Sequence, residues 1–298
     1  MRRVYLDYNA TSPVAPEVLE AMKPYFSDSF GNPSSLHAEG AKARKALEES
    51  RETIAGILKT KPDEIIFTSG GTEANNLAIM GVVGATEKKI TFHSDGVQAV
   101  GKLPVDLSKL PVDLLSFSSH KIYGPKGVGG LFIRKGVKIQ SQIWGGAQEM
   151  EKRGGTENLP GIVGFARAMQ SMVENFDLEF QRVKALRDQL ERGLVEKIPD
   201  LHVHGDERAR LSNTLNVTMD GITSETILIA LDLAGVALSS GSACASGSIE
   251  VSHVLLAMGI SKAQAKGAVR FSLGRWTTKD DIEYAAGKFS EIVMRLRS

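Results

Sequence analysis

The sequence predicts an α/β fold: a layered domain that mixes strands with helices, followed by a smaller α+β unit. Three observations lead there. A strand, a glycine turn and a helix follow one another over residues 64–83, further β-like runs come after them, and from Pro160 the pattern changes to a long stretch of helical periodicity.

Glu64-Ile65-Ile66-Phe67-Thr68 is a short apolar run stopped by Ser69-Gly70-Gly71, and Thr72-Glu73 then opens an apolar-periodic segment through Leu77, Met80 and Val83. Lys89 to Ser94 and Leu114 to Ser118 read as strands, and Gly127 to Arg134 as a glycine-rich, hairpin-like segment. Pro160 to Ile198 is predicted to be helical and to bridge two domains, with Val163, Phe165, Ala166, Met169, Met172 and Val173, then Leu186, Leu190, Leu194 and Val195, at helical spacing. A strand from Asn213 to Met219, a helix from Ser224 to Ala234, a strand around Val269 to Leu273 and a terminal helix from Thr278 to Arg297 compose the smaller unit.

Composition narrows the function classes. The 298 residues include 36 Lys+Arg against 35 Asp+Glu, a net charge of +1, and 42% are hydrophobic, as in an ordinary globular protein of about two domains. No basic tract stands out, so nucleic acid is not expected as a main partner. The first residues, Met1-Arg2-Arg3-Val4-Tyr5-Leu6-Asp7, precede no long apolar stretch; neither a secretory signal nor a membrane span is expected, and the cytoplasm is the expected location. The single cysteine, Cys244, excludes an intramolecular disulfide and a multi-cysteine metal site, leaving a filler, a sensor or a nucleophile; no metal is expected.

Two segments hold groups that could do chemistry. In Thr68-Ser69-Gly70-Gly71-Thr72-Glu73-Ala74-Asn75-Asn76, small residues let the backbone approach an anion and a helix N-terminus aims free N–H groups at it; Thr72 either adds a hydroxyl to that site or simply caps the helix. In Ser116-Phe117-Ser118-Ser119-His120-Lys121-Ile122-Tyr123-Gly124-Pro125-Lys126-Gly127, a strand end delivers hydroxyls, an imidazole and an amine into a glycine-bounded loop. Lys121 could form a Schiff base there, or be a solvated surface charge. Cys244 sits in Ser239-Ser240-Gly241-Ser242-Ala243-Cys244-Ala245-Ser246-Gly247-Ser248, a run too small and polar for a core strand, which favours a presented nucleophile over a buried filler.

Together with Leu6-Asp7-Tyr8-Asn9-Ala10-Thr11, Gly31-Asn32-Pro33-Ser34-Ser35-Leu36-His37 and Arg153-Gly154-Gly155-Thr156-Glu157-Asn158, these segments form an ordered series over nearly the whole chain that closely resembles the pyridoxal-phosphate-dependent cysteine desulfurases, in the class-V aminotransferase-like family. The resemblance implies a fold-type-I large domain with a mostly parallel, shortened sheet over residues 13–162, and a small domain made of residues 1–12 and 163–298 that carries the cysteine loop. It makes Lys121 the lysine bound to the cofactor and gives the phosphate of pyridoxal 5'-phosphate to Gly71, Thr72, Ser118 and His120, with Thr156 reaching across from a partner subunit of a homodimer. Asp95 would hold the pyridinium proton and Gln98 would bond the phenolic oxygen; a carboxylate on the ring nitrogen keeps the ring cationic and a better electron sink. His93 reads as a half-buried strand histidine. Asn9 and Arg270 would bind substrate, the planar guanidinium of Arg270 clamping its carboxylate. Cys244 would attack the sulfur of L-cysteine and carry it as a persulfide, releasing L-alanine and passing sulfur to an acceptor such as an iron–sulfur scaffold protein.

The resemblance breaks in one place. The family carries further strands, a histidine stacked on the ring and an asparagine-rich loop between the helix after the phosphate turn and the strand of the pyridine-binding aspartate; here only Gly84-Ala85-Thr86-Glu87-Lys88-Lys89 separates Val83 from Ile90. The strand bearing Asp95 is therefore expected to end the sheet, with backbone groups that need cover. A second reading follows from the shortening: a catalytically impaired family member or deletion variant that acts as a dimerisation or scaffold protein.

Overall fold

The computed structural model describes residues 2–85, 90–240 and 251–297. In chain order the elements are β1 (Val4–Tyr5), α1 (Pro16–Met22), α2 (Pro24–Ser27), α3 (Ala38–Leu58), β2 (Ile65–Thr68), α4 (Gly71–Gly84), β3 (His93–Asp95), β4 (Leu114–Ser118), β5 (Gly129–Ile133) and α5 (Leu159–Glu174). There follow α6 (Phe176–Lys197), β6 (Leu201–His204), β7 (Thr214–Met219), α7 (Ser224–Leu233), β8 (Val236–Ala237), α8 (His253–Ala257), α9 (Lys262–Ala265), β9 (Val269–Ser272) and α10 (Lys279–Arg297). The chain divides into two compact units, Ser12–Phe176 and Met1–Thr11 with Asp177–Ser298.

In the larger unit the sheet order is β2-β5-β4-β3. β2, β4 and β3 run the same way and β5 is reversed, so the β3–β4 ladder is parallel while both ladders of β5 are antiparallel. Side chains alternate along each strand, and both faces are covered. Ile65, Phe67, Leu115, Phe117 and Phe132 join a core with Val18 of α1, Ile54 and Leu58 of α3, and Ile162 and Phe165 of α5. Ile66, Leu114, Leu131 and Ile133 face α4 through Ala74, Leu77 and Ala78. By the same alternation Ser116 and Ser118, two and four residues beyond Leu114, lie on the α4 side.

The smaller unit has an antiparallel sheet, β6-β7-β9, and a parallel pair, β1-β8. Its core takes Leu190 and Leu194 from α6, Ile227 and Leu231 from α7, and Ile282 and Phe289 from α10 against Leu215, Val217 and Phe271 of the sheet. The Phe271 and Phe289 rings meet edge to face at 5.2 Å.

Several expectations change. The Gly127 to Arg134 segment is no hairpin: β5 is one interior strand between β2 and β4. A Cβ on Gly130 would stand 2.5 Å from the Phe117 ring, so the glycine there makes room for a cross-strand aromatic rather than a turn. The strand expected from Lys89 to Ser94 shrinks to His93–Asp95, because in the described sheet it has only β4 to pair with. The helical stretch breaks at Asn175 into α5 and α6. The expected domain boundary at 162/163 falls inside α5, whose Leu159, Ile162, Phe165, Ala166 and Met169 all enter the core of the larger unit; the division comes instead after Thr11 and after Phe176. Among the described residues no helix is long and apolar enough to cross a membrane.

Candidate functional site

The phosphate-type turn is built by the close approach of two glycine segments. A Cβ on Gly129 would lie 2.8 Å from Gly70 Cα, so glycine at the start of β5 lets the turn after β2 settle against the sheet. α4 begins at Gly71 with Gly70 as N-cap and no side-chain cap, and Thr72 is an exposed second residue. The capping alternative for Thr72 is thereby removed. The reach-back is made by Glu73, which accepts from the Ser69 amide at 2.8 Å and from Arg153 Nε at 3.0 Å. Burial works to raise the Glu73 carboxyl, but the Ser69 hydroxyl and amide and Arg153 outweigh it and hold it below the usual range.

Ser118 faces this turn from the end of β4. Its side chain is buried and its Oγ has no hydrogen-bond partner among the described residues. A Cβ on Gly71 would stand 2.7 Å from Val97 Cγ2 and 3.8 Å from Ser118 Cβ, so the missing side chain leaves a cradle between the two. A buried hydroxyl lacking a partner, a glycine cradle and the uncommitted N–H groups of a 14-residue helix fit a phosphate oxyanion.

A 3-10 turn, Ser119–Lys121, continues from β4. Ser12 fixes it, since its amide and its hydroxyl both donate to His120 O at 2.9 Å, and Oγ accepts from the Tyr123 amide at 2.8 Å. Burial, then the Lys121 and Lys126 charges, lower His120 to about 4, so the imidazole is neutral at pH 7. Lys121 is half-buried, whereas Lys126 is exposed.

Asp95 ends β3, and both its oxygens are held. Asn75 Nδ2 donates to Oδ2 at 2.8 Å and the Val97 amide to Oδ1 at 2.9 Å. The first bond ties α4 to the strand and aims the carboxylate; the second is the Asx turn through Gly96. Gln98 accepts from Lys102 Nζ at 2.6 Å. His93 is half-buried with Nε2 2.9 Å from Ser116 Oγ, and burial lowers it, so it is a strand histidine as expected. Thr156 is exposed and lines a small cleft with Thr68, Ser69 and Arg153.

In the smaller unit Asn9 is buried and engaged at both ends of its amide, Nδ2 donating to Thr214 Oγ1 at 2.8 Å and Oδ1 accepting from Asn213 at 3.0 Å. Arg270 on β9 bonds Asp7 Oδ1 at 3.1 Å, and its amide donates to Ser239 O at 2.7 Å. Cys244 lies outside the described residues, within 241–250.

Within the larger unit, then, Gly71 and Ser118 come together, Asp95 joins them through α4, and His120 and Lys121 follow Ser118 directly. Three supports were not foreseen. Glu73 follows a glycine turn at the third helical position, a readable capping signal. Asn75 stood in a quoted motif without a role. The third, Arg51 with Glu149, is a buried pair at 2.8 and 2.9 Å whose carboxylate also accepts from the Phe67 amide at 2.7 Å. It holds a segment in which Glu149, Met150 and Glu151 all take left-handed φ of 46°, 55° and 63°, and which leads on to Arg153 and Thr156. Partners 98 positions apart leave no local trace in a sequence.

Residues 4–89 and 83–285 match the class-V aminotransferase family, and the chain belongs to it. It is similar to a protein of Dictyoglomus turgidum named cysteine desulfurase IscS, 39% identical over 378 residues, with 100% of this chain and 96% of the relative covered. Among solved structures it is similar to a NifS-like protein, TM-score 0.89 at 31% identity, covering 99% of this chain and 100% of that one. SspA in complex with cysteine has a TM-score of 0.74 at 29% identity, covering 92% and 100%. The two family matches meet over residues 83–89, where the shortening was read. The 378 aligned positions less the 298 residues of this chain leave at least 80 positions of the D. turgidum relative without a counterpart.

Proposed function

We propose that this chain is a cysteine desulfurase that uses pyridoxal 5'-phosphate to convert L-cysteine to L-alanine and retains the sulfur on Cys244. The observation that carries the reading is the Ser118 hydroxyl, buried without a partner among the described residues on the sheet face that meets the first turn of α4. Gly71, Thr72, Ser118 and His120 would hold the phosphate, Lys121 the carbonyl carbon, Asp95 the protonated ring nitrogen and Gln98 the phenolic oxygen. When bound, the cofactor supplies a cationic ring that accepts the electron pair released at the substrate's α-carbon.

The chain's own groups prepare that chemistry. Asn75 and the Val97 amide keep the Asp95 carboxylate in one orientation. His120, neutral at pH 7, offers one donor and one acceptor. Arg270 would bind the substrate carboxylate, and Asn9, from the N-terminal motif, would also bind substrate. The Cys244 thiolate attacks the substrate sulfur; an S–S bond forms as the C–S bond breaks, and the carbon keeps the electron pair and is protonated to alanine. A homodimer that shares Thr156, an acceptor protein such as an iron–sulfur scaffold and a cytoplasmic setting complete the reading.

Incubating the cofactor-saturated protein with L-cysteine should yield alanine and one added sulfur on the Cys244 peptide. Cys244→Ser should keep the spectral response to cysteine but release no sulfide. Borohydride reduction should leave the cofactor on Lys121; an adduct on Lys126, or none, would contradict the assignment. The missing segment between Val83 and Ile90 favours the scaffold as second reading, and a cofactor-saturated protein that makes no alanine would support it.

A further inference from the structure

The surface left beside the shortening has a definite shape. α4 lays Ala74, Leu77 and Ala78 on the sheet. Asn75 reaches sideways to Asp95, so its row on the helix faces β3. Ile79, at i+4, lies next along that row, and Val83, at i+8, has turned about 80° from Asn75 toward the outer side of the helix. Ile79 is 53% and Val83 73% exposed. On the strand side Ile90 is fully exposed and Phe92 is 54% exposed. β3 pairs with β4 on one flank and ends the described sheet on the other. Residues 90–95, Ile-Thr-Phe-His-Ser-Asp, follow Lys88 and Lys89 in the sequence but themselves hold neither Lys nor Pro, and their one charge, Asp95, is committed to Asn75 and Val97. Shortness is what blunts this edge, since β3 has three residues, but exposed apolar side chains grouped in this way are normally covered.

Relatives carry extra chain at this place. The family match is interrupted at residues 83–89, from Val83 to the residue before Ile90, and at least 80 positions of the D. turgidum relative have no counterpart in this chain. In the relatives the inserted chain thus leaves from one side of this surface and returns to the other.

We propose that the β3 edge, with Ile79 and Val83 of α4, forms a docking surface for a separate polypeptide equivalent to that inserted segment. Its strand would add to β3 by backbone hydrogen bonding, and its apolar side chains would cover Ile79, Val83 and Phe92. A second copy of this chain docked symmetrically on this edge would bring the same three-residue strand, whereas a segment of about 80 residues has the length to pair the strand and cover the helix residues together. The inference rests on the sheet and the alignment, not on the desulfurase reading.

The test uses the full chain and, as probe, the internal segment of the D. turgidum relative made as a separate polypeptide. Amide hydrogen exchange should slow at least tenfold at residues 93–95 and along the end of α4 when the segment is added, with saturable one-to-one binding. Ile79→Asp or Phe92→Asp should weaken binding at least tenfold, and Leu178→Asp, an exposed site in the other unit, should leave it unchanged. A second protein, with the same segment inserted between Gly84 and Ile90, shows whether the segment fits the surface at all. Protection by neither form, or by the inserted form alone, overturns docking in trans. So does protection of β3 in the chain alone that disappears on dilution, since a second copy then occupies the edge. Because exchange is the readout, an inactive protein that docks keeps the inference, and an active one that does not dock loses it.

Discussion

Ser118→Ala separates cofactor binding from folding because its two effects have opposite signs. In the protein without cofactor the Ser118 hydroxyl is buried with no partner among the described residues, and a polar group left in that state costs about 1–3 kcal/mol. Alanine removes the unpaired oxygen and gives up the contacts of one atom, so a net stabilisation of roughly 1 kcal/mol is expected, read as a rise of about 2–4 °C in Tm for a domain of this size. In the loaded protein the same hydroxyl meets a phosphate dianion, and a hydrogen bond to a charged group contributes about 1.5–3 kcal/mol. Its loss should weaken cofactor affinity roughly 10- to 150-fold, at 1.36 kcal/mol per factor of ten. The assays are spectrophotometric titration of the cofactor-free protein with pyridoxal phosphate, and thermal melts with and without it at one fixed protein concentration. A Ser118→Ala protein that is less stable without cofactor yet binds it as tightly as the parent would refute the phosphate assignment and make Ser118 a packing residue.

Glu149→Ala leaves the Arg51 guanidinium buried without its bidentate partner and the Phe67 amide without an acceptor, so a loss of about 3–5 kcal/mol is expected in urea unfolding; a loss under about 1 kcal/mol would mean the pair relaxes into water. The pH dependence of the cofactor-free protein follows from His120, whose folded value of about 4 lies below its ordinary 6.5. Between those values the unfolded chain binds the proton and the folded chain does not, so stability is present above about pH 6.5 and falls as pH drops toward 4; His120→Asn should flatten that slope in melts across the window. Arg270→Ala should raise KM for L-cysteine roughly 10- to 150-fold, from the 1.5–3 kcal/mol of a charge-assisted contact, while the cofactor's absorbance is unchanged. Because the substitution also breaks the bond to Asp7, a modest fall in stability should accompany it, and equal loss of cofactor would instead mark a structural arginine.

Patterns read over a few residues were legible from the sequence. β4 occupies the five residues its apolar run marked, and α4 starts at the glycine turn, because alternation, helical period and glycine punctuation are local properties of the chain. The family resemblance, carried by ordered motifs, marked Ser118, His120, Lys121 and Asp95 as candidates, and the short distance from Val83 to Ile90 exposed the shortening. Only tertiary structure decided how those residues are held. Whether Thr72 caps its helix or leaves the task to Glu73 depends on side-chain direction, and the role of Asn75 depends on β3 lying beside α4. β5 read as a hairpin because Gly129 and Gly130 look like turn residues, yet they are glycine for what crosses them, the Gly70 backbone and the Phe117 ring. Arg51 and Glu149 meet across 98 positions, and α5 belongs with the larger unit because its apolar face is buried there. Such contacts join segments remote in sequence, and their energies come from burial and geometry that exist only once the layers have assembled.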